Sequence, residues 1–292
     1  MKIGLQVPDF TWPGGPAEMG STLATIATTA DQAGFAYLAV MDHFFQIGAV
    51  GPAENDMLEA YTTLGFLAAH TERVKLLTVV TGAIYRYPAV LAKIVTTLDV
   101  LSGGRAMLGV GAGWNEQESR GLGIPFPTVK ERFEHLDDVL EVCLRMWSDD
   151  DSPYQGNHVN LQRALNSPQV LSRPHPPIMI GGGGERKTLR YVAKYAQACN
   201  LFGTPDLPHK LEVLREHCAN EGRDYDEIEK TVYYIFDTGT DGDRVGKMIE
   251  ELRGYADLGI QTAIGAVRNV HEITPLEIIG RDVIPAVREA NK

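Results

Sequence analysis

The sequence predicts a single-domain (β/α)8 TIM barrel over residues 1–292, with an insertion after the fourth helix. Two observations support this fold class. Eight short apolar runs alternate with segments of helical periodicity, and most of the runs are apolar throughout, as is typical of parallel strands covered on both faces. Strand followed by helix, repeated over a chain of this length, fits a barrel better than a doubly wound sheet.

The predicted strands and the helices between them have readable ends. The strands are 2–7, 37–41, 74–82, 105–111, 177–182, 199–203, 231–239 and 262–267. One helix begins with Pro88 in its first turn and ends at Gly103 and Gly104. A second helix, over 129–147, places its apolar residues along one stripe, and a third ends at Gly259.

Residues 148–177 interrupt this alternation. The segment is long, polar and rich in proline, and "YQGNHVNL" within it has the pattern of a small hairpin. Long loops in compact domains usually serve a function or are disordered. We therefore predict an insertion that acts as a lid over the substrate pocket.

Composition excludes several classes of function. The net charge is −11, from 27 Lys and Arg against 38 Asp and Glu, so a nucleic-acid partner is not expected. Cys143, Cys199 and Cys218 have no C-x-x-C spacing, which suits a reducing cytoplasm. The amino-terminal residues resemble a strand rather than a signal peptide, and no apolar run reaches the length of a membrane span.

Chemistry in a barrel lies at the carboxyl ends of the strands. The second strand ends in "VMDHFF", which places Asp42 and His43 there. His43 can move a proton near neutral pH, whereas the simpler interpretation makes Asp42 a cap and His43 a packed residue. The eight histidines show no metal-ligand spacing, so no metal site is predicted.

Two glycine-rich stretches follow the fourth and fifth strands. Gly109, Gly111 and Gly113 alternate, but Trp114 stands where a dinucleotide fingerprint has its last glycine. This alternation indicates either close packing of the strand or a flat ring lying against it. The run 181–184 consists of four glycines, which indicates a phosphate bound by backbone amides, or merely a tight turn.

Together these strand ends resemble a known family. "VMDHF", "VTGAIYRYPAVLAK", "LSGGRAMLGVGAGWNEQE" and "PPIMIGGGG" occur in this order and at these separations, as in the luciferase-like superfamily of flavin and deazaflavin oxidoreductases. "DFTWPGGP" and "MDHFFQIGAVGP" resemble the branch that is assigned to coenzyme F420, a deazaflavin. The resemblance covers nearly the whole chain and implies a barrel with an insertion, often a homodimer.

The resemblance also implies roles for individual residues. Asp42 and His43 would contact the deazaflavin, with His43 beside its reacting carbon as the catalytic proton donor. The stretch that matches Thr81, Gly82 and Ala83 commonly carries a non-proline cis peptide that bulges toward the ring. The other cofactor-binding residues would be Gly111, Ala112 and Gly113 beside the ring, Asn115 in hydrogen-bonding reach, and Gly181, Gly182, Gly183 and Gly184 at the phosphate.

The resulting hypothesis is hydride transfer between coenzyme F420 and a small organic substrate. An FMN-dependent monooxygenase and a non-catalytic flavin- or deazaflavin-binding protein are the alternatives, and a phosphosugar barrel without redox activity would leave residues 109–113 unexplained. Sugar-phosphate dehydrogenases of the superfamily carry an acidic residue where this chain has Trp114. Glucose 6-phosphate is therefore not the expected substrate.

Overall fold

The computed structural model describes residues 1–288. Residues 289–292, which end the predicted barrel domain, lie outside the described residues. The strands are β1 (Lys2–Val7), β2 (Tyr37–Val40), β3 (Lys75–Thr78), β4 (Thr81–Gly82), β5 (Leu108–Gly111), β6 (Tyr154–Gln155), β7 (Asn160–Leu161), β8 (Ile178–Gly181), β9 (Ala198–Phe202), β10 (Glu229–Tyr233) and β11 (Thr262–Ala266).

The main sheet closes into a barrel. Its hydrogen-bonded order is β3-β2-β1-β11-β10-β9-β8-β5-β4, and a parallel bridge between Leu76 and Ala106 joins β3 to the segment before β5. β3 and β4 are the two halves of the predicted third strand, separated by Val79 and Val80. With these halves counted as one, eight parallel strands surround the axis, and the predicted (β/α)8 barrel is confirmed.

Helices follow the strands around the outside. They are α1 (Gly15–Ala33), α2 (Ala60–Ala69), α3 (Pro88–Leu101), α4 (Glu116–Gly121), α5 (Val129–Met146), α6 (Thr188–Tyr195), α7 (Leu207–Glu221), α8 (Val245–Asp257), α9 (Thr274–Ile278) and α10 (Ile284–Arg288). α3 begins at Pro88 as predicted. α5 begins with a capping box, in which Thr128 and Glu131 each bond the other's backbone amide.

Alternation along the strands divides the core into two layers. Side chains that point to the axis form an inner cluster of Tyr37, Ala39, Leu77, Met107, Met179, Ala198 and Ile264. Their neighbours in sequence, such as Leu38, Leu76 and Leu108, pack outward against the helices. On the predicted stripe of α5, Leu136, Leu140 and Cys143 are fully buried, whereas Val129 is 59% exposed.

The insertion packs on the side of the barrel. The predicted hairpin is present as the antiparallel pair β6–β7. Asp99 of α3 accepts hydrogen bonds from the amide of Leu171 at 2.7 Å and from the amide and hydroxyl of Ser172 at 2.9 and 2.7 Å. Asp138 of α5 accepts the amide of His158 at 2.7 Å. These hydrogen bonds fasten the insertion to two neighbouring helices.

This position does not fit the predicted lid. The insertion follows α5 and precedes β8, so it leaves and re-enters the barrel at the amino ends of the strands. A connection from a helix to a strand lies at the end opposite the strand termini that carry chemistry. The position of the insertion therefore does not support a lid over the pocket. Within residues 1–288, no helix is both long enough and apolar enough to span a bilayer.

Candidate active site

The carboxyl end of β2 brings His43 to a buried carboxylate that comes from another part of the chain. The ring nitrogen Nδ1 of His43 lies 3.0 Å from Oε1 of Glu118 on α4. The side chain of His43 is 11% exposed and that of Glu118 is fully buried. The indole of Trp114, which is 63% exposed, meets the His43 ring edge-on with 5.5 Å between centroids. His43 is thus held on one side and faces an exposed aromatic surface on the other.

Glu118 is in hydrogen-bond contact with four groups. Besides His43, the Tyr85 hydroxyl donates to Oε1. The amides of Phe44 and Phe45 donate to Oε2 at 2.5 and 2.9 Å. The loop after β2 is therefore tied to α4 through one side chain.

The protonation states in this cluster follow from its contacts. Burial alone would raise the pKa of Glu118, but hydrogen bonds from His43, Tyr85 and the amide of Phe45 together hold it below its ordinary value. Burial and the bond to Glu118 raise the pKa of Tyr85 well above its ordinary value. Glu118 is consequently ionised at neutral pH and Tyr85 is a neutral donor.

A second buried ion cluster lies behind the first. Arg86 donates to both carboxylate oxygens of Asp42 at 2.5 and 3.0 Å and to Glu59 at 2.5 Å. Asp42 is 1% exposed. Although burial opposes it, the ion pairs raise the pKa of Arg86, so the guanidinium keeps its charge. Because Asp42 is buried and Arg86 bonds both of its oxygens, the predicted contact of Asp42 with the cofactor stays a prediction.

The alternating glycines of β5 admit neighbouring protein groups. A Cβ on Gly109 would lie 1.8 Å from the carbonyl oxygen of Thr78, and one on Gly111 would lie 3.1 Å from Cγ2 of Val80. Gly181 of β8 also faces Val80, whose Cγ1 would be 2.8 Å from an added Cβ. Close packing therefore accounts for Gly109 and Gly111, and the prediction that Gly111 lies against a cofactor ring is not supported.

The third strand differs from its prediction in detail. The non-proline cis peptide joins Val79 and Val80, before the predicted stretch 81–83. Thr81 is fully buried and bonds Tyr61 and Thr78 through its hydroxyl, while Gly82 and Ala83 are buried as well. The residues that line this end of the barrel are the half-buried Val79 and Val80. The cofactor surface predicted for residues 81–83 therefore stays a prediction, and the half-buried Val79 and Val80 directly precede it.

Ala112, Gly113 and Asn115 follow β5 toward the outside. Ala112 and Gly113 are half-buried. Gly113 has φ of +83°, which favours glycine. Asn115 caps α4, since its side-chain oxygen accepts the amide of Glu118 at 3.2 Å. The amino group of the Asn115 side chain makes no hydrogen bond with the described residues and could bind a ligand.

The four-glycine run forms a loop that precedes α6. The amide of Gly182 donates to the carbonyl oxygen of Asn200 at 3.0 Å. Among the described residues, no carbonyl accepts a hydrogen bond from the amides of Gly183 or Gly184. The helix begins at Thr188 rather than near Glu185 as predicted. A Cβ on Gly183 would lie 3.8 Å from Cε of Lys210, so a cationic side chain flanks the loop. Free amides beside a lysine fit an anionic group.

Three residues of the site were not predicted from the sequence. Glu118 lies 75 positions from His43 and belongs to a short helix, so no local pattern connects them. Arg86 stood within the quoted "YRYP" motif without an assigned role. Val80 looked like an ordinary strand residue. Residues 1–288 contain no group of three or more side chains arranged to hold a metal ion.

Comparison with known proteins places the chain in a family. The model of the luciferase-like monooxygenase family matches residues 1–263. The chain belongs to this family. An uncharacterized protein of Mycobacterium tuberculosis is 30% identical over 224 residues, which cover 71% of this chain and 77% of that one.

Two further similarities involve proteins that use coenzyme F420. An F420-dependent glucose-6-phosphate dehydrogenase of Kineococcus radiotolerans is 31% identical over 220 residues, covering 72% of this chain and 62% of the relative. The solved structure of an F420-dependent secondary alcohol dehydrogenase, in complex with an F420-acetone adduct, superposes with a TM-score of 0.78. It is 20% identical, and the match covers 99% of this chain and 100% of that one. The second similarity shows the shared barrel.

Proposed function

We propose that the protein is a cytoplasmic coenzyme F420-dependent oxidoreductase that transfers a hydride between the deazaflavin and a small organic substrate. Support comes from family membership, from the F420-dependent relatives, and from one observation above all. His43 presents its imidazole at the carboxyl end of β2, beside half-buried residues on the neighbouring strand ends.

The residues at the mouth fit a flat ring. Val79, Val80, Ala112 and Gly113 are small or apolar, half-buried, and lie at the carboxyl ends of adjacent strands. We assign this surface, the valine floor, as the place where the ring system rests. When bound in its reduced form, the deazaflavin would supply a hydride, and the protein would bind, orient and exclude water.

The glycine loop fits the phosphate of the same cofactor. The amides of Gly183 and Gly184 and the ammonium group of Lys210 are the groups that would hold it. Glu185 and Asp206 pair with Lys210 at 2.5 and 3.4 Å and offset its charge, so the backbone amides would make the main contribution. Gly182, with φ of +114°, provides the turn that exposes the amides.

His43 would move the proton that accompanies hydride transfer. A carbonyl that receives a hydride becomes an alkoxide, which must be protonated, and an alcohol that loses a hydride must also lose its hydroxyl proton. A positioned imidazole can serve both directions. Asp42 would act at a distance from the substrate by fixing Arg86 and with it the loop after β4.

Trp114 points to the class of substrate. It exposes its indole next to His43, where a substrate would lie over the ring. An aromatic surface at this position favours an uncharged, partly apolar molecule over a sugar phosphate. Arg86, a cation at the same end of the barrel, is already paired with two carboxylates and is not available for a phosphate.

An FMN-dependent monooxygenase remains the alternative with the same fold, and it is favoured by the description of the family model. A deazaflavin has carbon where FMN has N5 and does not readily form an oxygen adduct, so the cofactor decides the reaction. A non-catalytic binding protein is the third candidate. The exposed indole of Trp114 beside His43 favours catalysis over that candidate, because a substrate could contact the indole next to the imidazole.

Spectroscopy of the purified full-length protein tests this function. Oxidised coenzyme F420 is mixed with the protein and a panel of small secondary alcohols, and reduced F420 with ketones and conjugated alkenes. We expect substrate-dependent loss or gain of the absorbance of oxidised deazaflavin. Oxygen consumption with reduced FMN, and no change with F420, would instead establish the monooxygenase alternative.

We also propose that the protein forms homodimers. Phe66 on α2 and Val90 on α3 are 38% and 53% exposed, and these two helices pack against each other. Apolar side chains exposed on neighbouring helices favour association with a second copy. Light scattering of the purified protein gives the mass, and a monomer at micromolar concentration would contradict the proposal.

A further inference from the structure

Of the four groups in hydrogen-bond contact with the Glu118 carboxylate, three are donors, namely the amides of Phe44 and Phe45 and the Tyr85 hydroxyl. The partners of Oε2 are the amides of Phe44 and Phe45, which can only donate. The partners of Oε1 are the Tyr85 hydroxyl and Nδ1 of His43. An ionised carboxylate has acceptor sites only, so it matches this environment fully.

We propose that Glu118 is a positioning residue that fixes the tautomer of His43, so that Nδ1 carries the proton and Nε2 is the atom that exchanges protons with substrate. This inference rests on the proposed function for its catalytic consequence, but not for the tautomer itself. A neutral imidazole has one donor and one acceptor nitrogen. Next to a fully buried carboxylate, Nδ1 must be the donor, since a lone pair facing another lone pair would leave both unsatisfied.

The arrangement determines what the opposite nitrogen can do. Nε2 lies across the ring from Nδ1 and is therefore turned away from Glu118. In alcohol oxidation a bound oxidised deazaflavin would supply the hydride acceptor, and Nε2 would take the hydroxyl proton of the substrate as the C–H bond electrons leave as hydride and the carbonyl forms. In the reverse direction the imidazolium returns that proton from Nε2 to the oxygen. Glu118 stays ionised throughout and stabilises the imidazolium across the 3.0 Å contact.

We expect Glu118→Gln to invert the tautomer of His43. A glutamine side chain has one acceptor oxygen and one donor amino group. The Phe44 and Phe45 amides cannot accept, so the oxygen must stay with them and the amino group must face His43. His43 can satisfy that amino group only by accepting at Nδ1, which moves its proton to Nε2. The substitution therefore inverts the tautomer with little change of shape.

Nitrogen NMR of histidine-labelled, full-length protein without cofactor tests the tautomer directly. The His43 signals are assigned by their loss in His43→Asn. We expect neutral His43 to be the Nδ1–H form in the wild type and the Nε2–H form in Glu118→Gln. Tyr85→Phe removes one donor but keeps the carboxylate, and should retain the Nδ1–H form. A wild-type spectrum of the Nε2–H form would overturn the proposal, even if Glu118→Gln failed to fold.

Single-turnover kinetics measure the consequence. In the serine-protease triad, replacing the carboxylate by its amide lowers kcat by about 10⁴ because the tautomer is wrong. For Glu118→Gln we expect alcohol oxidation to fall by about 10²-fold or more across the pH range, with KM little changed. Glu116→Gln is the matched control, because Glu116 is on the same helix, 53% exposed, and paired with Arg120. It should retain wild-type turnover.

The outcomes separate this inference from the proposed function. An inverted tautomer with unchanged turnover in Glu118→Gln would overturn the positioning role. The Nδ1–H form in a wild-type protein that turns over no substrate with F420 would overturn the proposed function and leave the tautomer assignment standing. A rise in KM alone would also overturn the inference, since it would mean that Glu118 only orders the loop after β2.

Discussion

The glycine loop offers a test in which charge and shape can be separated. Gly183 has an ordinary backbone angle and room for a side chain, with the nearest atom to an added Cβ at 3.8 Å. Gly183→Asp and Gly183→Asn therefore add side chains of nearly the same shape, of which only the first is charged. If the loop holds the cofactor phosphate, the aspartate variant should bind coenzyme F420 more weakly than the asparagine variant.

The size of the effect follows from Coulomb's law. Two like charges about 4 Å apart repel by about 1 kcal/mol in water and by about 4 kcal/mol at the effective dielectric of a protein surface. Since about 1.4 kcal/mol corresponds to a factor of ten, the dissociation constants should differ by about five-fold to several hundred-fold. Salt at about 1 M shortens the screening length to about 3 Å and should therefore reduce the difference between the two dissociation constants.

Fluorescence titration with oxidised F420, at low and high salt, measures both constants. Circular dichroism confirms that the two variants are folded. A deazaflavin without its phosphate is the ligand control, and both variants should bind it equally. If Gly183→Asp and Gly183→Asn bind F420 with the same affinity, the loop does not hold the phosphate and is simply a tight turn.

Three further predictions follow from other parts of the chain. His43→Ala should lower turnover of bound substrate by about 10²–10⁴-fold while changing cofactor affinity little. His70 is an exposed histidine after α2, so His70→Ala is the control and should keep wild-type turnover. An effect of His43→Ala on KM alone would remove His43 from proton transfer. Asp99→Ala should lower the free energy of unfolding by about 2–3 kcal/mol, because three donors of the insertion lose their acceptor, and should leave kcat of the folded protein unchanged. Urea titration measures the free energy of unfolding of Asp99→Ala. A large loss of kcat in this variant would instead favour the lid hypothesis. Although burial raises the pKa of Asp31, hydrogen bonds led by the amide of Val74 hold it below its unfolded value. The stability that wild type has over Asp31→Asn should therefore be complete above about pH 5 and shrink as the pH falls through the depressed pKa, and a difference that grows in acid would contradict this.

The sequence predicted the barrel because the periodicity of its strands is a local property. The first strand has the predicted bounds, and the others differ mainly at their ends. The resemblance predicted an irregularity in the third strand but not its position, because Val79 and Val80 are β-branched residues typical of strand interiors. The interruption depends on neighbours from β5 and β8, whose glycines admit Val80.

Only those residues of the candidate site that directly follow a strand were predicted from the sequence. His43 and the glycine loop were found because they follow strands directly. Glu118 acts through a contact with a residue 75 positions away, and this pairing depends on the tertiary fold. The role of the insertion could not be predicted for a different reason. Its polar composition is equally typical of a lid over the site and of a segment packed on the outer helices. Its position between a helix and the next strand favours the end of the barrel where the strands begin.

The most direct measurement of the central claim compares cofactors. Protein without cofactor is titrated with oxidised coenzyme F420 and, separately, with FMN under the same conditions. If the protein uses the deazaflavin, F420 should bind at least about ten-fold more tightly than FMN, a difference of about 1.4 kcal/mol or more. Equal affinity, or tighter binding of FMN, would contradict the deazaflavin assignment and make the protein an FMN-dependent member of the same family.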